Sequence, residues 1–559
     1  MNLFRKKNID QVLHEAEQNH KNGGLLKILT VRDLTLFGIA AIIGAGIFST
    51  IGRASFNGGP AVSVLFLFTA VACIFTALSY AQFASTVPVS GSAYTYAYVA
   101  FGEIFAWAIG WALILEYAVS NMVVAISWSS YFLSMLAGFG IHFPLWLATD
   151  AGSAREAFEM VQAATASGNL ASVAANVKEL AFAFSEAPVL GGLKVIFNLP
   201  AGVITAMITA LIYIGMKESR NASNFLVIVK LCVIALVIFG GAFYIKPENW
   251  SPFAPNGVKG VMLSVASVFF AFIGFDSVST TAEECKDPQR DLPKAMIYCL
   301  VICTVLYILI TLVLTGMVNY SELKVDDPLA YVFEKNNLNA MAGIISVSAV
   351  VAITSALLAY QVGQPRIWMT MSRDGLLWPA FAKIHPKYKT PGFATIATGL
   401  FVGIPSLFMN MQFFIDLTSV GTFFAFIMVC GGILYMDVTG LSERAKFRVP
   451  YVNGKFIVGL GFIVALLATQ KFTKSGIIGQ LDAQPLMYVF WSVWLGLAVS
   501  AFIKNFSLLP ILGILSNLYL MAELGWTNWR IFLVWLAIGL VIYFSYGYSH
   551  SKLGRAAKA

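Results

Sequence analysis

Gly38-Ile39-Ala40-Ala41-Ile42-Ile43-Gly44-Ala45-Gly46-Ile47-Phe48 is an uncharged apolar run with Gly-Ala-Gly near its middle. With its flanks, over 33–53, it is long enough to cross the hydrocarbon of a bilayer, which takes about 20 apolar residues. The Gly-Ala-Gly invites the backbone to unwind there. Unwound backbone at membrane depth is tolerated only where it meets protein or lines a cavity. The half-helix that follows would offer free amides and a positive dipole end to a carboxylate. A glycine pair can equally mean close helix packing, so this run needs a second observation. Five segments later, Phe269-Phe270-Ala271-Phe272-Ile273-Gly274-Phe275-Asp276-Ser277 is another glycine-interrupted span. Two broken helices at corresponding places in two halves of a chain point to a binding site built from inverted repeats.

The rest of the chain agrees with a membrane setting. Of its 559 residues, 58% are hydrophobic and 11% charged, and the mean hydropathy is +0.77. A soluble domain carries about 25% charged residues, so soluble, disordered and nucleic-acid-binding classes are excluded. Cutting at polar and Pro/Gly breaks gives about fourteen spans. They lie near 33–53, 61–86, 103–136, 199–216, 222–245, 260–283, 293–318, 340–372, 391–411, 413–438, 454–470, 486–503, 506–524 and 530–548. The expected class is an all-α polytopic membrane protein.

Arg5-Lys6-Lys7 and the mostly polar residues after it lack the apolar core of a signal peptide. The N-terminus is therefore expected in the cytoplasm, and an even number of spans returns the C-terminus there. Lys and Arg then gather on the inside, at Lys217/Arg220, Lys286/Arg290/Lys294, 366–389 and Arg444/Lys446/Arg448/Lys455, while the acids divide almost evenly. That cation bias is what orientation in a cell membrane requires. The long outer loop, 137–198, reads as two short amphipathic helices separated by Ser167-Gly168-Asn169, with Ser153 and Glu156 as a capping box for the first. It is either a packed lid or a partner and gating surface.

Cys73, Cys232, Cys285, Cys299, Cys303 and Cys430 fall in apolar segments or at a helix end, which argues against a disulfide framework. The five histidines sit in tails, loops or segment ends, and neither GxxxxGK[ST] nor HExxH occurs. ATP-powered movement and metal hydrolysis lose their support. No cofactor, metal or nucleic-acid partner is expected, and the chain does not read as an enzyme.

Four ionisable residues remain deep in the spans: Glu116, Lys230, Asp276 and Asp416. Each costs about 2.5 kcal/mol or more to insert, so each is a functional candidate by default. Lys230, in Val227-Ile228-Val229-Lys230-Leu231-Cys232, has no acid at i±3 or i±4 to pair it. It either snorkels to the inner interface or is buried, which disfavours its charge and suits a group that takes and releases a proton. Asp416 lies near a helix end, where a partnered structural role competes. Glu283 and Glu284 close the sixth span, where a gating contact with the 87–102 loop is expected.

Several ordered blocks resemble one family. They are Ala41 to Phe48, Val87-Pro88-Val89-Ser90-Gly91-Ser92-Ala93-Tyr94-Thr95-Tyr96, Leu113-Ile114-Leu115-Glu116-Tyr117, Gly274-Phe275-Asp276, Asp287-Pro288-Gln289-Arg290-Asp291-Leu292-Pro293, Met371-Ser372-Arg373-Asp374-Gly375 and Phe447-Arg448-Val449-Pro450. The chain resembles the amino acid-polyamine-organocation permeases, in their cationic-amino-acid-transporter-like branch. The resemblance implies a LeuT-type fold with a 5+5 inverted repeat. It also implies a substrate carboxylate on the amides of Gly44, Ala45 and Gly46, and an ammonium on the carbonyls of Ile42, Phe270, Ala271 and Ile273. Glu116 and Tyr360 would face the side-chain pocket, Lys230 would couple protons, and Asp276, Glu283 and Glu284 would serve gating or structure. Ala45 stands where some members place a hydroxyl residue, leaving the carboxylate to backbone alone. A large Tyr360 would shorten the pocket.

The implied organisation is a tail over 1–30, a transport core over 31–440, four further helices over 441–550 and a tail over 551–559. Compared with twelve-helix members, 454–470 and 486–503 look like an inserted pair. The reading that follows is secondary active, proton-coupled symport of L-amino acids across the cell membrane; the partners are then an amino acid as small-molecule substrate, a proton and the lipid bilayer. An exchanger, a facilitator or a non-transporting sensor of the same fold is the alternative.

Overall fold

The computed structural model describes residues 3–10, 12, 14, 29–44, 46–89, 92–170, 173, 175–214, 220–325, 327–388, 390–472 and 484–556. Ala45 and the side chains of Glu283, Glu284 and Asp416 lie outside the described residues. The described residues are mostly helical. In order, the helices that matter below are α1 (Val31–Ile42), α2 (Ile51–Gly58), α3 (Val62–Thr86), α4 (Ser92–Ala100), α5 (Glu103–Gly138), α6 (Ala151–Ala166) and α7 (Ala175–Glu186). Then come α8 (Leu199–Ile214), α9 (Arg220–Ala242), α10 (Gly257–Met262), α11 (Val265–Phe270), α12 (Pro288–Met317) and α13 (Pro328–Lys335). The remainder are α14 (Asn339–Arg373), α15 (Gly392–Phe408), α16 (Met411–Thr439), α17 (Ile457–Phe472), α18 (Met487–Lys504), α19 (Leu508–Glu523) and α20 (Trp526–Ile542).

Every expected span overlaps helix, yet not every helix is a full-length rod. Among the described residues, 9 helices are long and apolar enough to cross a membrane, and Leu199–Ile214, Gly392–Phe408, Ile457–Gln470 and Leu508–Glu523 are shorter apolar ones. The first span is split into α1 and α2, with a wide helical turn over Gly46–Thr50 between them. The sixth is split as well: α11 ends at Phe270, and a 3-10 stretch, Phe275–Glu284, follows Gly274.

In the 137–198 loop the two expected helices are present as α6 and α7, and Gly168 between them has φ +71. The cap differs from the expected one. Asp150 is the N-cap of α6, its carboxylate accepting from the Ser153 amide at 2.8 Å, so Ser153 is the capped residue and not the cap. Asp and Ser are comparably good caps, and Asp150 stands three residues ahead of Ser153. A two-residue hairpin, β1 (Val189–Leu190) against β2 (Leu193–Lys194), closes the loop.

The last helices attach through different seams. Cys430 and Leu434 of α16 share an apolar cluster with Val458, Phe490, Ile511 and Leu518, so α17 to α19 form their own core against α16. In contrast, α20 returns to α5 through tryptophans. Trp111 and Trp535 stack with centroids 4.5 Å apart and each indole donates to the other's carbonyl, at 2.8 and 3.0 Å. Aromatic pairs of this kind join large apolar area to a satisfied N–H.

One face carries both ends of the described chain. Fully buried Glu103, at the start of α5, accepts from Tyr98 at 3.0 Å, Tyr543 at 2.9 Å and the Ser551 hydroxyl, with Arg5 3.8 Å away. Beside it, Asp374 accepts from Lys7 and Tyr94, both at 2.6 Å. The segment around residues 3–8 is thereby strapped across α4, with the Glu103 amide also donating to the Arg5 carbonyl at 2.9 Å.

Candidate functional site

Interrupting α1 in an apolar setting strands its last carbonyls, which have no intrahelical partner and no water to replace one. Their partners build the site. The Ile39 carbonyl still takes the Ile43 amide at 2.9 Å. Beyond it, the Ala40 and Ile43 carbonyls accept from the Lys230 ammonium at 3.1 and 2.9 Å. The Ala41 carbonyl accepts from the Tyr360 hydroxyl at 3.2 Å, and the Ile42 carbonyl from Tyr307 at 3.0 Å. Three side chains from α9, α12 and α14 thus converge on one helix end.

The same two tyrosines reach the second break. Tyr307 also lies 2.8 Å from the Ala271 carbonyl, and Tyr360 3.3 Å from that of Ile273. The two breaks run antiparallel and touch backbone to backbone. A methyl group on Gly46 would sit 2.4 Å from the Ala271 Cα, and one on Gly274 would sit 2.8 Å from the Ala41 carbonyl carbon. Gly274 also has φ +115, a conformation that favours glycine. Glycine in both breaks is a requirement of this close approach.

Lys230 is fully buried, with its nitrogen on the α1 end, so it does not snorkel to an interface. Glu116 on α5 and Asp276 just past the second break are each 2% exposed and within electrostatic reach of one another. Thr422 stands at the Glu116 carboxylate, and one Asp276 carboxylate oxygen, Oδ2, is buried without a hydrogen-bond partner. Tyr117 and Tyr360, both facing these acids, meet edge to face at 5.9 Å.

The expected site residues that are described therefore gather at the two breaks. Gly44 donates its amide to the Ile42 carbonyl at 3.0 Å. The carbonyls expected to take an ammonium are engaged within the protein: Ile42, Ala271 and Ile273 with tyrosine hydroxyls, and Phe270 with the Ile273 amide at 3.2 Å. Tyr307 was not anticipated. It sits in Val305-Leu306-Tyr307-Ile308-Leu309, and a tyrosine in such a run carries no local mark of a partner 265 residues away.

Many apolar helices, two of them interrupted face to face around buried polar groups, are the arrangement of a polytopic membrane protein with a binding site at its breaks. Residues 29–497 match the family described as amino acid permease, and residues 507–551 match the C-terminus of that family. The chain belongs to the amino acid permease family. It is 36% identical over 554 residues to the methylthioribose transporter of Bacillus subtilis, covering 99% of both chains. It is equally, at 36% over 554 residues and 99% of both chains, similar to the branched-chain amino acid permease BcaP of the same organism. A vacuolar cationic amino acid transporter 2 of Arabidopsis thaliana is 29% identical over 651 residues, covering 99% of this chain and 94% of that one.

Proposed function

We propose that this amino acid permease is a proton-coupled symporter that accumulates L-amino acids across the cell membrane, with both termini in the cytoplasm and about fourteen spans. In this reading residues 31–440 are the transport core, a 5+5 inverted repeat, and residues 441–550 a four-helix addition. The observation that carries the proposal is the buried Lys230 ammonium on the Ala40 and Ile43 carbonyls. A protonated lysine makes charge-assisted bonds to both, and a neutral amine makes weaker ones. Loss of the proton thus loosens the end of α1, which ties protonation to the conformation of the break. A potential of 100 mV supplies about 2.3 kcal/mol per net charge moved, so no ATP is needed.

The substrate carboxylate would meet the backbone at Gly44, Ala45 and Gly46, its ammonium the carbonyls at the two breaks, and its side chain Glu116 and Tyr360. Asp276, Glu283 and Glu284 are assigned to gating and structure. Uptake into proteoliposomes tests this: an inward proton gradient is expected to drive accumulation of one or more of alanine, leucine, lysine and arginine, and accumulation that follows sodium and survives proton uncoupling would refute the coupling. Exchange or facilitation would appear as equilibration without accumulation, and a sensor as binding without either. The similarity to a methylthioribose transporter favours a second substrate reading, a neutral sugar-like molecule, so methylthioribose belongs in the same panel.

A further inference from the structure

Four carbonyls at the breaks, those of Ala41, Ile42, Ala271 and Ile273, face two tyrosine hydroxyls. The Ile42 carbonyl also takes the Gly44 amide at 3.0 Å, which leaves Tyr307 for Ala271; a hydroxyl has one proton to give, so Tyr360 serves Ala41 or Ile273 but not both at once. Among the described residues, the two carbonyls that share Tyr360 are one donor short. An ammonium brings three protons and a charge, and its bonds to carbonyls are about twice as strong as a neutral hydroxyl's.

The two tyrosines are not equivalent. Tyr307 is fully buried, holds its carbonyls at 2.8 and 3.0 Å, and is caged by Phe66 and Phe272, each with its ring centre 5.4 Å away. Tyr360 is held at 3.2 and 3.3 Å and retains 6% exposure. A hydroxyl leaving that position has somewhere to go. The unpartnered Asp276 oxygen belongs to a residue three positions beyond Ile273, and Tyr360 is already within its electrostatic reach.

We infer that the Tyr360 hydroxyl is a displaceable competitor for the substrate's ammonium: the ammonium takes its place on the Ala41 and Ile273 carbonyls, and the hydroxyl turns toward Asp276, while Tyr307 stays as a fixed tie. Tyr360 then sets affinity by what it gives up as well as by the shape it presents. This rests on the amino-acid reading above.

The test is equilibrium binding of tritiated L-leucine and L-alanine to the purified full-length protein in nanodiscs. Tyr360→Phe is expected to bind the ligand that wild type binds about three- to tenfold tighter, the range for one lost competing hydrogen bond. Tyr360→Met, which also lacks the hydroxyl, is expected to share the direction, and Tyr307→Phe to gain nothing. Competition by 4-methylpentanoate, which is leucine without its ammonium, is expected to be the same in wild type and Tyr360→Phe. Unchanged or weaker amino-acid binding in both Tyr360 variants, or an equal gain for 4-methylpentanoate, overturns the inference alone. Wild type that binds neither amino acid but binds methylthioribose overturns the amino-acid reading and this inference with it.

Discussion

Gly46 and Ala271 cross so closely that a methyl group on the glycine would lie 2.4 Å from the Ala271 Cα. The neighbour is backbone, which cannot swing aside. Gly44, two residues earlier, differs: its methyl would meet side chains and no backbone, Ala356 at 3.2 Å and Val124 at 4.0 Å. Two glycines of one motif therefore have different duties, one for packing and one for room.

Gly46→Ala is expected to destabilise the protein by about 1–3 kcal/mol, the usual cost of overpacking, while Gly44→Ala folds as wild type does. Size-exclusion profiles and thermal unfolding of the two variants in detergent measure this. Equal stability of both would contradict the backbone contact between the breaks.

Tyr307 ties the same two segments through hydrogen bonds, and its loss leaves the Ile42 and Ala271 carbonyls without that donor. A buried acceptor stripped of its partner costs about 1–3 kcal/mol. Tyr307→Phe should lower the unfolding midpoint accordingly and slow transport, with the ring's packing retained. A midpoint identical to wild type would mean that the hydroxyl carries no structural load.

At the face bearing both ends of the described chain, the largely buried pair Lys7–Asp374 fastens the strap of residues 3–8. Each Asp374 oxygen has its own partner, Lys7 on one and Tyr94 on the other. Asp374→Asn removes the charge and should expose the strap, raising the rate of trypsin cleavage after Arg5, Lys6 or Lys7 by about ten- to a hundredfold, in keeping with roughly 1.5–3 kcal/mol for a hydrogen bond to a charged group. High salt should narrow the difference between wild type and variant. Equal cleavage rates at low salt would show that the backbone bonds to α4 and α5 hold the strap without the pair.

The helices were legible because apolar runs broken by polar and Pro/Gly residues carry their lengths openly. Both interruptions were legible too, since Gly44-Ala45-Gly46 and Gly274 interrupt runs that otherwise continue. Of what fills the interruptions, Tyr360 was reached through the family resemblance alone, and Tyr307 not at all. Tyr307 and Tyr360 reach Ile42 and Ala41 across 265 and 319 residues of chain, and periodicity says nothing about contacts at that separation. The same holds for Glu103, an unremarkable acid at a helix start until Tyr98, Tyr543 and Ser551 close on it. The displaced cap of α6 is a different kind of miss: Ser153 with Glu156 fits the capping-box pattern, but Asp150, an equally good cap three residues earlier, takes the role.

Lys230 is the centre of the functional account, and one measurement reaches it directly: amino-acid accumulation in proteoliposomes under an inward proton gradient, compared with exchange at equal internal and external pH. The account predicts that Lys230→Ala, and Lys230→Met with more of the side-chain volume kept, still bind and exchange substrate but no longer accumulate it. Accumulation by either variant at the wild-type level would contradict proton coupling through Lys230.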